Sequence, residues 1–218
     1  MQQIDMQVTS PHVELRFHEN YKFSCQRCGE CCRRPGYFTP DSMEEVARRF
    51  DLGKEKFYNE FCELRPGKTL ITPKISQDTG YCIFLEWDDD RASCTIQDIK
   101  PRNCAYSPLM MKRYKLDDDL NVILNKNSLF ALCSCPGTGK GRKHKVRDWV
   151  RETGMAKDMT FQIQVLMRIA IDTGIDFETI LERKHVKDGA LSWQDEYKLR
   201  KAVERSYGIR TPEIIVDI

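Results

Sequence analysis

The segment CQRCGECCRRP, residues 25–35, puts four cysteines into eight consecutive positions, and two of them, Cys31 and Cys32, are adjacent. Cysteine as a small buried apolar residue accounts poorly for this, because the neighbours are Gln26, Arg27, Gly29, Glu30, Arg33 and Arg34. A C-x-x-C turn brings two sulfurs to the same side, where both reach one metal. Thiolates are soft ligands that suit zinc, copper(I) and iron–sulfur clusters. Cys25, Cys28 and Cys31 extend the turn to C-x-x-C-x-x-C. Bacterial ferredoxins share that spacing but place three residues before the fourth cysteine. Here none intervenes, so the chain is no ordinary ferredoxin. Side chains of neighbouring residues diverge. Cys31 and Cys32 are therefore expected to divide between two environments: two metal centres, or one ligand and one packing side chain.

The chain has ten cysteines: Cys25, Cys28, Cys31, Cys32, Cys62, Cys82, Cys94, Cys104, Cys133 and Cys135; the last 83 residues have none. The start, MQQIDMQVTSPHVELRF, lacks a basic stretch followed by an apolar run, so no secretory signal is expected. Apolar stretches fall well short of the about 18 residues of a membrane span. The expected location is cytoplasmic, where disulfides are disfavoured and cysteine clusters bind metals or act in catalysis. The net charge of +2 gives no strong nucleic-acid signal.

Two four-thiolate centres need eight ligands. The first four cysteines with Cys82, Cys94, Cys104 and Cys135 supply them. Cys82 opens the apolar run CIFLEW, Cys94 and Cys104 bracket TIQDIKPRN, and Cys135 precedes Pro136 and Gly137. A proline after a ligand shields a cluster, and glycine lets the backbone approach it. Cys62, in FYNEFCELR beside Phe57, Tyr58 and Phe61, is expected on a helix and in the core. Cys133 is expected to pack or to remain a thiol. A structural zinc site has four tetrahedral ligands, usually as two paired knuckles. Only the first element is closely spaced here, which favours an iron–sulfur cluster set among several segments, one or two of the 4Fe–4S type, with zinc as the alternative.

The remaining pattern predicts an α+β fold. Residues 1–24 form an arm with a strand around HVELRF. TPDSMEEVARRF offers Thr39 as an N-cap, Pro40 at the first helical position, and Met43, Val46, Ala47 and Phe50 at helical spacing. KEKFYNEFCELR predicts a second helix, ending before Pro66 and Gly67. TLITPKI and YCIFLEW read as strands, and MKRYKLDDDLNVILNKN as two strands around an acidic turn at Asp117–Asp119. SCTIQDIKPRNCAYSP reads as a turn and a short helix broken at Pro101, and CSCPGTGKGRKHK as a glycine-rich loop with a basic tail. From Val146 onward four helical patterns follow, with Gly154, Gly174 and Gly208 at expected helix ends. The expected organisation is a small irregular cysteine-rich domain with an N-terminal arm over residues 1–144 and a helical region over 145–218. Metal binding would then be part of folding.

The ordered set CQRCGECC, CIFL, CTIQDIKPRNC and CPGTGKG resembles the C-x-x-C-x-x-C-C cysteine-cluster family, often described as YkgJ-type, with a zinc- or iron-chelating domain. Flagellin lysine N-methylases carry a similar domain. The resemblance covers about residues 23–142. The family's third element reads C-x-[IY]-Y-x-x-R-P-x-x-C, whereas this chain has Gln97 and Lys100–Pro101 there. The resemblance implies a metal or iron–sulfur centre and leaves the reaction undefined.

Three functions follow: an iron–sulfur protein in electron transfer or cluster handling within a larger assembly, a zinc-stabilised interaction module, or a methyltransferase-related enzyme. No glycine-rich S-adenosylmethionine loop supports the last. GTGKGRKHK lacks the spacing of a phosphate-binding P-loop. Its Lys140, Arg142, Lys143 and Lys145 form a basic patch suited to an acidic protein partner or to damping a cluster's charge. His12, His18, His144 and His185 form no H-x-x-x-H pair. The two triple-aspartate runs are acidic turns without the alternating oxygen spacing of a calcium loop.

Overall fold

The computed structural model describes residues 2–5, 11–65, 68–111, 113–124, 129–132, 134–185 and 192–210. Cys133 lies outside them. In chain order come β1 (Gln2–Asp5), β2 (His12–Leu15), β3 (Asn20–Phe23), a 3-10 turn (Glu30–Arg33), α1 (Pro40–Arg49), α2 (Lys54–Phe61), β4 (Cys62–Glu63) and β5 (Thr72–Pro73). There follow β6 (Leu85–Asp88), β7 (Arg91–Cys94), α3 (Arg102–Tyr106), β8 (Leu109–Met111), β9 (Arg113–Leu116), β10 (Val122–Ile123), β11 (Leu129–Leu132) and β12 (Thr138–Lys145). Four helices close the chain: α4 (Val146–Thr153), α5 (Met155–Thr173), α6 (Phe177–His185) and α7 (Trp193–Ser206). The fold is α+β with a helical C-terminal region.

Two compact units form, each from two stretches of chain: Met1–Tyr37 with Ile75–Gln164, and Phe38–Lys74 with Val165–Ile218. The first holds small antiparallel sheets in the orders β1-β9-β10, β2-β11-β8, β12-β3 and β6-β7. Strand β11 is central because Leu129, Phe130 and Ala131 are all buried, and it pairs Leu129 with Leu15 on one side and Met111 on the other. The expected acidic turn joins β9 to β10: Asp117 Oδ1 accepts the backbone N–H groups of Asp119 (3.0 Å) and Asn121 (2.7 Å). An aspartate folded onto its own backbone in this way sets a turn without glycine.

In the second unit α1 starts at the predicted cap. Thr39 Oγ1 accepts Ser42 N–H (3.2 Å), and Ser42 Oγ accepts Thr39 N–H (2.8 Å). This reciprocal pair satisfies two donors that a helix start leaves open. Met43, Val46 and Ala47 are buried, and Phe38 meets Phe57 of α2 edge-on at 5.9 Å. Tyr207, after α7, donates its hydroxyl to Phe38 O at 2.6 Å. Gly154, Gly174 and Gly208 take φ values of 68°, 70° and 70° at the ends of α4, α5 and α7. Only glycine adopts this left-handed conformation at little cost.

Three expectations change. Cys62 is buried as expected but opens β4 rather than continuing α2. The strand expected from Cys82 begins at Leu85, because the Cys82 backbone is engaged elsewhere: its N–H bonds Cys32 O (2.8 Å) and its carbonyl takes Leu85 N–H (2.9 Å). The basic tail expected as a loop is strand β12, recruited by β3. Among the described residues no helix is long and apolar enough to cross a membrane.

Candidate metal centre

All eight predicted ligands lie in the first unit. The cysteine loop is laid along β7 by a pair of bonds: Ala92 N–H to Arg27 O (2.8 Å) and Arg27 Nε to Ala92 O (3.0 Å). Arg27 and Gly29 have φ values of 52° and 72°. Gly29 also fits under an indole, since a Cβ there would stand 3.1 Å from the Trp87 ring. This double left-handed bend turns the chain into the 3-10 turn, where Cys32 N–H bonds Gly29 O at 2.8 Å. The Cys82 N–H to Cys32 O bond then ties Cys82 beside the adjacent pair. Cys94 ends β7 opposite Leu85. Cys104 comes from α3, directly after Pro101.

Cys31, Cys32, Cys82, Cys94 and Cys104 thus meet closely enough to perturb one another's ionisation. A hydrogen bond from the Cys32 thiol lowers the Cys31 pKa to about 6, and the same bond raises that of Cys32. Burial pushes Cys82 up to about 11, Cys104 up to about 12, and Cys94 upward. Opposing this, backbone N–H groups point at sulfur: Phe84 at Cys82, Ile96 at Cys94 and Gly36 at Cys104. Lys100 adds positive charge next to Cys31 and Cys94. Buried and half-buried thiols that already receive N–H donors are suited to hold negative charge once ligated.

The seat of Cys104 is built from polar groups. Tyr106, two residues on, donates to Asp158 Oδ2 (3.2 Å), which also accepts Gln162 Nε2 (2.6 Å); Tyr37 donates to Gln162 Oε1. Asp158 and Gln162 are buried on one face of α5, so the network fastens α3 to a long helix. Gly36 permits close contact here, because a Cβ would fall 2.0 Å from Asn103 Oδ1. Sequence reasoning missed Gly36, Tyr37, Lys100, Asp158 and Gln162. The available signals were the positions of Gly36 and Tyr37 just after the cysteine loop, and of Asp158 and Gln162 one helical turn apart.

Cys25 and Cys135 lie at one end of the β3–β12 ladder. Ser24 N–H bonds Gly137 O (3.2 Å), Phe23 pairs with Thr138, and Thr138 N–H bonds Cys135 O (3.0 Å). Cys28 lies in the turn between Cys25 and Gly29. Among the described residues no two cysteines are joined in a disulfide. Nor, among them, do three His, Cys, Asp or Glu side chains surround a point where one ion could touch them all. The donor set has the chemistry for a thiophilic metal, and closing on one requires the thiols to turn inward.

Residues 24–128 match the family model CxxCxxCC, described as a "putative zinc- or iron-chelating domain". Cys135 falls beyond that match. Comparison with curated proteins found no match, and comparison with solved structures found none either.

Proposed function

We propose that this chain, whose residues 24–128 match the CxxCxxCC model of a zinc- or iron-chelating domain, is an iron–sulfur protein that passes electrons or clusters within a larger assembly. Four ligands come from the five associated thiols: Cys82, Cys94 and Cys104 with one of the adjacent pair. The other member of the pair, with Cys25, Cys28 and Cys135, is the donor set left for a second centre. The observation that carries this reading is the N–H group directed at each of Cys82, Cys94 and Cys104, three sulfurs from three separate segments.

When bound, such a cluster supplies one-electron redox chemistry. The chain's own groups would set its potential: the three N–H donors and Lys100 oppose the negative charge on sulfur and so favour reduction. The Tyr106–Asp158–Gln162 network would hold Cys104 in place. The same thiols could bind zinc, but a d¹⁰ zinc ion neither accepts nor donates an electron. Anaerobically purified protein is expected to show broad visible absorption that bleaches with dithionite, together with a paramagnetic signal in the reduced state. A colourless protein unchanged by dithionite would overturn the redox reading.

A further inference from the structure

The β3–β12 ladder carries a concentration of charge that the metal site does not use. Its register jumps between Thr138, opposite Phe23, and Lys143, opposite Lys22. Residues 139–142 are therefore pushed out of the ladder. Gly139 and Gly141 make the excursion with φ values of 81° and 75°, and a Cβ at Gly141 would stand 2.4 Å from Ser24 Cβ. The excursion is thus pressed down beside Cys25, and it presents Lys140 and Arg142 to solvent.

Beyond it, strand alternation sorts the side chains. His144 and Tyr21 form one opposed pair on the inner face, where His144 meets Trp149 edge-on at 5.0 Å. Lys143 and Lys145 face outward, and Lys22 is directly opposite Lys143. Like charges directly across a ladder are destabilising. Lys22, Lys140, Arg142, Lys143 and Lys145 are all exposed, and none has an ion-pair partner among the described residues. The nearby acid Asp148 is engaged by Arg147 (3.7 Å) and Arg151 (3.3 Å).

We propose that this face is the docking surface for an acidic protein, whose carboxylates relieve the Lys22–Lys143 repulsion and whose bound position adjoins the Cys25 end of the cysteine loop. That the partner exchanges electrons or clusters rests on the function proposed above; the docking itself does not. A single-stranded nucleic acid fits less well. Its bases need exposed rings to stack on, and here Tyr21 is buried while Phe23 and Trp149 meet each other edge-on at 5.5 Å.

The test titrates full-length, metal-loaded protein with poly-L-glutamate and, separately, with oligothymidylate of matched charge, at low and at physiological salt. Expected are tighter binding of poly-L-glutamate, weakening with salt, and a loss of at least about tenfold in the triple variant Lys140→Glu, Arg142→Glu and Lys143→Glu. Reversal at Lys143 places opposite charges across the ladder, so the variant is expected to fold and to keep its metal. Neutral replacement by Gln at the same positions gives a smaller loss in the same direction. Equal affinity in wild type and variants, or tighter binding of oligothymidylate, overturns the proposal. Metal content measured on the same samples separates failure of the docking face from failure of the metal site.

Discussion

Serine at Cys82, Cys94 or Cys104 strips the metal from the protein. Each of these thiols comes from a separate segment. Changing an outer partner of a metal ligand costs about 10–100-fold in affinity; removing a ligand itself is expected to cost at least about a hundredfold. The oxygen of serine is a harder, poorer donor for a thiophilic metal. The loss should extend to folding, because a metal that binds only the folded chain adds its binding free energy to stability. Cys62→Ser is the control. That residue is 3% exposed and belongs to the second unit, whereas the five associated thiols belong to the first. It is expected to lose about 1–3 kcal/mol of stability by burying a hydroxyl, with metal content unchanged. Metal analysis and thermal melts on the purified variants check both halves. Full metal retention in all three ligand variants would refute the ligand assignment.

Metal uptake rises steeply with pH. A ligating cysteine must be a thiolate, so every thiol still protonated releases a proton on binding. Cys31, lowered to about 6 by the Cys32 hydrogen bond, is already largely ionised at neutral pH. Cys82 at about 11, Cys104 at about 12 and Cys94, also raised, are not. Three protons must leave when these three ligate. Apparent affinity therefore climbs about tenfold per proton, or about a thousandfold per pH unit near neutrality, and falls more steeply still below about pH 6, where Cys31 is protonated as well. Competition between the apoprotein and a chelator of known pH dependence measures the slope for zinc or ferrous iron. An affinity that does not change with pH would show that other groups hold the metal.

The legible parts of the fold are those that local chemistry decides. Thr39 and Pro40 start α1 because a cap and a fixed φ need only their own neighbours, and Gly154, Gly174 and Gly208 end helices for an equally local reason. The acidic turn at Asp117 belongs with them. The parts that escaped depend on distant segments. GKGRKHK has no strand pattern of its own and becomes β12 because β3 supplies the other half of the ladder. Cys82 leaves the strand its apolar neighbours suggest because Cys32 claims its N–H. Cys62 follows three helical aromatics, Phe57, Tyr58 and Phe61, yet turns into β4.

The same division runs through the metal site. The candidate donors follow from the close spacing of Cys25, Cys28, Cys31 and Cys32 and, for Cys82, Cys94, Cys104 and Cys135, from the count of thiols and the family resemblance. Their grouping does not: Cys31 and Cys32 join Cys82, Cys94 and Cys104 through the loop's bonds to β7 and to Cys82, while Cys25 and Cys135 go to the end of the β3–β12 ladder. Lys100 and the N–H groups of Phe84, Ile96 and Gly36 carry no motif, because what matters is the direction of a bond in space. The buried Asp158 is legible only once Tyr106 is known to face it.

The most direct measurement is iron, zinc and acid-labile sulfide per chain on protein purified without oxygen. Iron and sulfide in equal amounts are expected, about four of each for the centre built on Cys82, Cys94 and Cys104, and about eight if Cys25, Cys28 and Cys135 complete a second. Zinc without sulfide would contradict the iron–sulfur account and leave a zinc-stabilised scaffold.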